Sequence, residues 1–138
     1  MEEKNFNFLQ EHSLKYLEMA FRKDKQEAIS NPDGYRKRTG ECGDTVEFFL
    51  IIKDNLIEKA SYLANGCLNT NACACATACF AEKQTVEKAW EISPDKIAEY
   101  LESLPKEEIH CAELAVGALY LALRDAQSNK LNRYYRKI

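Results

Sequence analysis

Thr45-Val46-Glu47-Phe48-Phe49-Leu50-Ile51-Ile52-Lys53, then Asp54-Asn55, then Leu56-Ile57-Glu58-Lys59-Ala60-Ser61-Tyr62-Leu63-Ala64: this run decides the fold of the 138-residue chain. In the first segment Val46, Phe48, Leu50 and Ile52 fall on one face at a period of two. Phe49 and Ile51 partly cover the other face, so the segment reads as a central strand. Asp54-Asn55 offers a tight hairpin turn, and the second segment returns as a strand with Ala60, Tyr62 and Ala64 on one side. A shorter strand at Tyr35 to Arg38 completes a three-stranded antiparallel sheet.

Outward from the sheet the pattern turns helical. Upstream, Phe6, Leu9, Leu14, Leu17, Phe21 and Ala28 recur near helical spacing and predict an amphipathic helix over residues 6–29. Asn31-Pro32-Asp33-Gly34 must end it, because proline restricts its predecessor and glycine admits a turn. Downstream, Asn69 or Thr70 caps an alanine-rich helix running to about Lys83. A short segment spans Thr85 to Trp90, Ser93-Pro94-Asp95 starts a helix to Leu104, and Pro105 interrupts before a last helix from Cys111 to about Gln127. The expected fold class is α+β: one domain over residues 1–138, a small three-stranded antiparallel sheet packed against several helices. Its core runs over 31–127, and a short basic tail over 128–138 carries Lys130, Arg133, Arg136 and Lys137 as a solvated end.

Composition narrows the function. With 46% hydrophobic and 30% charged residues the chain can bury a core of its own. The net charge of -3 leaves no electrostatic footprint for nucleic acid, and no basic stripe is interleaved with aromatics. No apolar run approaches the roughly 20 residues that span a bilayer, and Met1-Glu2-Glu3-Lys4-Asn5 is too polar for a signal peptide, so no membrane partner and a cytoplasmic location are expected. In that compartment the six cysteines are read as reduced thiols serving a metal or chemistry, not as disulfides.

Three of those cysteines sit in short, unusual settings: Gly40-Glu41-Cys42-Gly43-Asp44, Asn65-Gly66-Cys67 and Ile109-His110-Cys111. Glycines free the backbone beside two of them, while Asp44 and His110 bring further metal-ligand types within a residue or two of a thiol. Cys42 and Cys67 bracket the hairpin, so antiparallel pairing brings both to one end of the sheet. Cys111 opens the last helix, where the helix dipole favours a thiolate and is expected to lower its pKa. Thiolates select zinc and iron-sulfur clusters, and a carboxylate or imidazole in the fourth place binds less strongly, which suits a site that releases its cargo. Zinc fits the same geometry, so ligand type alone leaves ion and cluster both open.

The Cys42-Gly43-Asp44 turn, the Gly66-Cys67 turn leading into an alanine-rich helix and the Ile109-His110-Cys111 helix start resemble the three motifs of the U-type iron-sulfur cluster scaffold family. That family comprises the IscU proteins and the N-terminal domain of NifU. The resemblance runs from about Asn31 to Asp125 and includes the Asn31-Pro32-Asp33-Gly34 segment. It implies a scaffold and not an enzyme. A cysteine desulfurase would deliver sulfur, iron would be added, and a transient [2Fe-2S] cluster would form and pass to apo iron-sulfur proteins. It further implies that Cys42, Cys67 and Cys111 are ligands, that Asp44 tunes cluster lability or takes a coordination place, and that His110 lies at the site as a further ligand candidate. Whether the chain forms a homodimer around the cluster is left open.

The chain departs from the pattern in two places. The helix after the second cysteine contains Cys73, Cys75 and Cys79 where the family carries small residues. At 100° per residue Cys75 and Cys79 share a face as secondary thiols that could bind a second metal, relay sulfur or pack, while Cys73 points nearly opposite and reads as core filling. Leu104-Pro105-Lys106-Glu107-Glu108 keeps only the first two residues of the family's chaperone-recognition stretch, so release assisted by an Hsp70-type chaperone is not expected by that route. The alternative within the same chemistry is a zinc-bound sulfur acceptor resembling the SufU branch. His110 and the uninserted Cys67 to Cys111 interval favour the scaffold over it. A cysteine-nucleophile hydrolase with His110 or His12 as base is the enzyme rival. It is disfavoured because adjacent His110 and Cys111 diverge by about 100° on a helix.

Overall fold

A computed structural model describes residues 12–137. Strand β2 (Thr45–Lys53) lies between β1 (Gly34–Thr39) and β3 (Leu56–Asn65) in one antiparallel sheet of order β1-β2-β3. The period-two reading holds at its inner face, where Val46, Phe48 and Leu50 are wholly buried, with Phe48 registered against Arg36 on one side and Tyr62 on the other. Asp54 and Asn55 both adopt left-handed backbone, φ 52° and 64°, which makes the two-residue turn that matches the twist of a hairpin.

Helix α2 (Leu68–Ala81) is buried on nearly every side, which its alanines allow by letting neighbouring backbones come close. It packs on β3, on α1 (Leu14–Phe21) and on α5 (Ile109–Lys137), and α5 in turn lies along β1 and β2. Two shorter helices, α3 (Val86–Ala89) and α4 (Pro94–Leu101), and a 3₁₀ turn at Lys106–Glu108 fill the connection. Thr85 and Ser93 cap α3 and α4 through their hydroxyls. Among the described residues no helix is long and apolar enough to cross a membrane.

The ends of the chain differ from the sequence reading. Phe6 and Leu9 lie outside the described residues. The described part of the N-terminal helix is only Leu14–Phe21, capped by the Ser13 hydroxyl, and it ends where Arg22 turns extended. Its buried face is Tyr16, Met19 and Ala20, while Leu14 and Phe21 are 85% and 59% exposed. Residues 22–30 form a strap along the outer edge of β3, where Tyr62 donates to the Lys25 carbonyl at 2.9 Å and Glu27 donates to the Tyr62 carbonyl at 3.2 Å. The edge of β3 thus recruits backbone that a longer helix would have satisfied internally. The alanine helix stops at Ala81 and α4 stops at Leu101, where Glu102 takes a φ of 65°. The last helix starts two residues early and runs through the expected tail to Lys137, since nothing after Gly117 breaks it.

Close approach of β1 to α5 makes one position intolerant. A Cβ on Gly34 would lie 2.3 Å from the Ala122 carbonyl oxygen and 2.9 Å from the Ala126 Cβ. Both neighbours belong to the helix, so neither gives way easily. Gly34→Ala is expected to lower stability by about 1–3 kcal/mol, the usual cost of overpacking, read as a fall in the midpoint of thermal or urea unfolding.

Candidate functional site

The Cys42 turn joins β1 to β2, and Gly43 within it takes a φ of +90°, a conformation that favours glycine. Asp44 follows at the mouth of the hairpin. Its Oδ2 accepts the Thr70 hydroxyl at 2.7 Å and the Cys67 backbone N–H at 3.2 Å, and the Cys42 and Cys67 thiols hydrogen-bond the same carboxylate. The Thr70 bond is the largest cause holding this carboxyl below its ordinary pKa, and the contacts to Cys67 and Cys42 add to it against partial desolvation. Gly66 makes the approach feasible, because a Cβ there would meet Asp44 Oδ2 at 2.3 Å.

Cys67, and not the expected Asn69 or Thr70, occupies the N-cap of α2, and its side chain makes no capping bond. The Asp44 carboxylate accepts the N–H of Cys67 itself and supplies the negative charge that a helix N-terminus favours. Cys67 Sγ lies 3.5 Å from Thr70 Oγ1, which also hydrogen-bonds the Cys111 thiol, so Thr70 stands at the centre of the group. Cys42 and Cys67 are exposed, whereas Cys111 is wholly buried beneath them in the first turn of α5.

That burial overturns the acidity expected for Cys111. Its thiol is pushed up to about 12, first by desolvation, with the neighbouring Cys67 and Glu108 adding to the rise and Thr70 opposing it. The helix-start position is as expected, yet the position alone does not make a thiolate. Cys111 Sγ lies 3.6 Å from Glu108 Oε2, and His110 Nε2 lies 3.5 Å from the same oxygen. Ligand atoms of Glu108, His110 and Cys111 all fall within 4.8 Å of one another, so the side chains of His110 and Cys111 converge on Glu108 despite their adjacency. The other His110 nitrogen, Nδ1, faces the Glu107 carbonyl at 3.1 Å.

The structure therefore brings Asp44, Cys67 and Cys111 to Thr70, sets Cys42 on the other side of the Asp44 carboxylate, and places His110 with Cys111 beside Glu108. Cys73 lies in the core, as expected, and burial raises its thiol, with charge on Cys111 and Cys67 adding. Cys75 and Cys79 do share a face, but not this one. Three participants escaped the sequence reading: Thr70, Glu108 and Tyr16. Tyr16 donates its hydroxyl to Asn69 and is pushed up to about 12, mainly by burial and then by Cys73, Cys67 and Cys111. Thr70 stands three residues after Cys67 and Glu108 three before Cys111, the helical spacing that places side chains on one face and the one signal that could have found them.

A family model described as the NifU-like N terminal domain matches residues 24–132. Iron-sulfur cluster assembly scaffold protein IscU 1 of Archaeoglobus fulgidus is 35% identical over 96 residues, covering 70% of this chain and 58% of that protein. The Escherichia coli protein named iron-sulfur cluster assembly scaffold protein IscU is 31% identical over 90 residues, covering 64% of this chain and 70% of its own. The chain thus spans less than two thirds of the length of the archaeal relatives it matches. Among solved structures, a nitrogen-fixing NifU-like N-terminal protein from Brucella abortus superposes with a TM-score of 0.70 at 16% identity, over 84% of this chain and 94% of that one. An iron-sulfur cluster assembly scaffold for the SUF system from Fervidobacterium islandicum gives 0.71 at 14% identity, over 83% and 97%. Both show the fold.

Thr70→Val keeps the buried shape and removes the hydroxyl that Asp44 accepts. The Asp44 carboxyl is expected to titrate at higher pH in the variant, read by carbon NMR of its side chain. A depressed carboxyl contributes stability that is complete above its unfolded-state pKa and is lost as pH falls through the folded one. The variant is therefore expected to lose less stability than the parent on acidification through that window, in urea unfolding at stepped pH.

Proposed function

The chain belongs to the NifU-like N-terminal domain family, and from that premise we propose that it is a scaffold on which an iron-sulfur cluster is assembled and from which it is passed on. The observation that carries this reading is the meeting of three cysteines from three separate segments, two of them exposed and on the Asp44 carboxylate and the third buried and joined to them through Thr70. Cys42, Cys67 and Cys111 are the thiolate ligands of a transient [2Fe-2S] cluster, which is cargo and not a resident cofactor. Asp44 and His110 are the two candidates for the remaining place. Asp44 is ionised and already hydrogen-bonded to two of the thiols, and His110 reaches the site from the Glu108 side.

The arrangement suits loading and release. Soft thiolates hold iron, while a single harder ligand beside them leaves a bond that breaks first. The Asp44 carboxylate is held by Thr70 and the Cys67 N–H, so a metal that takes it competes with existing hydrogen bonds. A sulfur donor, of which a cysteine desulfurase is the expected kind, would reach Cys42 or Cys67, the two exposed thiols. Apo iron-sulfur proteins would receive the product at the same open face. The names of the archaeal and bacterial relatives support this assignment over a zinc-bound sulfur acceptor.

The test is anaerobic incubation of the reduced protein with iron, cysteine and a desulfurase. Charge-transfer absorption is expected to appear in the parent and to fall about tenfold or more in each of Cys42→Ala, Cys67→Ala and Cys111→Ala. A colourless protein that holds one zinc ion per chain and resists iron would sink the scaffold in favour of the zinc-bound acceptor.

A further inference from the structure

The cysteines of α2 divide between two faces. Cys73 looks toward Cys67, Cys111 and Glu108. Cys75 and Cys79, one turn apart on the other side, interact with each other beneath the strap of residues 22–30. Cys75 is wholly buried and Cys79 is partly exposed. Arg22 Nη1 donates to Cys79 Sγ at 3.4 Å, and Asp24 fixes the guanidinium from behind, with Nε and Nη2 at 2.5 and 2.9 Å from its two oxygens. The strap itself is pinned: Lys25 pairs with Glu82, which also accepts the Ala60 N–H at 3.2 Å. From β3 the fully buried Tyr62 hydroxyl, without a well-formed hydrogen bond among the described residues, is aimed at the Cys75 thiol and the Gln26 side chain.

Packing alone accounts for a buried cysteine such as Cys75. It does not account for a guanidinium, already held by its own carboxylate, that donates to the sulfur of Cys79. Among the described residues, Arg22 and Lys25 favour the Cys79 anion, Asp24 opposes it, and Glu82 pairs with Lys25. The interaction with Cys75 is the largest cause that lowers the Cys79 thiol, to about 7, and Arg22 and Lys25 add to it against desolvation. The same interaction pushes Cys75 up, so of the two thiols Cys75 is the one that keeps its proton.

We propose that Cys79 is a nucleophilic thiolate, held by Arg22 and by Cys75, and that it is a modification site, separate from the three-cysteine site, for exchange with low-molecular-weight disulfides. The Cys79 thiolate attacks one sulfur of R–S–S–R; the new bond joins Cys79 to that sulfur, the old sulfur–sulfur bond breaks, and the other half leaves as RS⁻. The disulfide is the oxidant and no other co-reactant is needed. Cys75 does not go on to resolve the product while α2 is intact. Residues one turn apart hold their Cβ atoms about 5–6 Å apart, beyond the roughly 3.5–4.5 Å that a disulfide requires. The mixed disulfide on Cys79 is therefore the end state.

This inference does not rest on the cluster reading, since it uses neither its thiols nor its carboxylate. The test treats the reduced full chain with less than one equivalent of 4,4′-dithiodipyridine at stepped pH, quenches in acid and locates the thiopyridyl group by tandem mass spectrometry. Cys79 is expected to be labelled in the folded protein, with a rate that is half-maximal near pH 7. Arg22→Met is expected to slow Cys79 about fivefold at pH 6.5 and move the half-point upward, because a higher pKa costs more thiolate than it returns in nucleophilicity. Arg22→Lys should recover part of that rate, and labelling of Cys42 should be unchanged in both. Should Arg22→Met disturb the strap by circular dichroism, Cys75→Ala provides a second arm and is likewise expected to slow Cys79. The proposal is overturned if Cys79 reacts only after denaturation, or if its rate is indifferent to both substitutions.

Discussion

One carboxylate organises this molecule where it meets its chemistry. Asp44 stands at the mouth of the hairpin, and a single oxygen of it receives both the first free N–H of α2 and the hydroxyl of Thr70. The loop before β2 and the helix after β3 are thereby tied to each other directly, across the sheet end, and not merely through the strands between them. Two glycines serve that tie. Gly66 leaves the space the oxygen occupies, and Gly43 turns the chain so that Cys42 and Asp44 present to the same side. Cys42 and Cys67 derive their separation from the carboxylate they both touch, and Cys111 enters from α5 below, through Thr70.

What could be read from the sequence was whatever local period determines. The alternation of Val46, Phe48 and Leu50 specified the strand, Asp54-Asn55 its turn, and the four-residue interval of Cys75 and Cys79 their common face. The apolar spacing of Leu14, Leu17, Phe21 and Ala28 predicts helix as far as residue 29, yet from Lys25 to Glu27 the backbone is bonded to Tyr62 of β3, more than thirty residues away in sequence. Cys111 shows the same division within one residue. Its place in the first turn of a helix was legible, and the dipole argument followed from it. Its burial depends on how α5, α2 and the 3₁₀ turn close over it, and burial is the larger effect.

Helix α2 gives these facts a common origin. A helix buried on nearly all sides cannot use bulky residues where three neighbours crowd it, so alanine and cysteine, similar in size and both apolar, fill its interior positions. Sulfur introduced on that basis takes its acidity from whichever element covers it. Toward α5 the companions are other thiols and Glu108, which disfavour an anion. Toward the strap they are Arg22 and Lys25, which favour one. Residues within a few ångströms along one helix thus differ in chemistry because their surroundings differ: for Cys79 these are first its own helix neighbour Cys75 and then Arg22 and Lys25 of the strap.

Charge also explains the unequal exposure of the three site cysteines. Thiolates gathered beside an ionised carboxylate at one end of the sheet would repel it and one another with no cation among them. Beside the ionised Asp44 the free protein limits this by keeping Cys111 protonated in the most desolvated place, while Cys42 and Cys67 remain in contact with water. On the proposed reading, a soft cation that takes Cys111 as a ligand displaces its proton. Its binding energy offsets a cost that burial has set. On that reading, return of the proton to Cys111 is favoured by the same burial that opposes its thiolate, so protonation there works against retention of the cation.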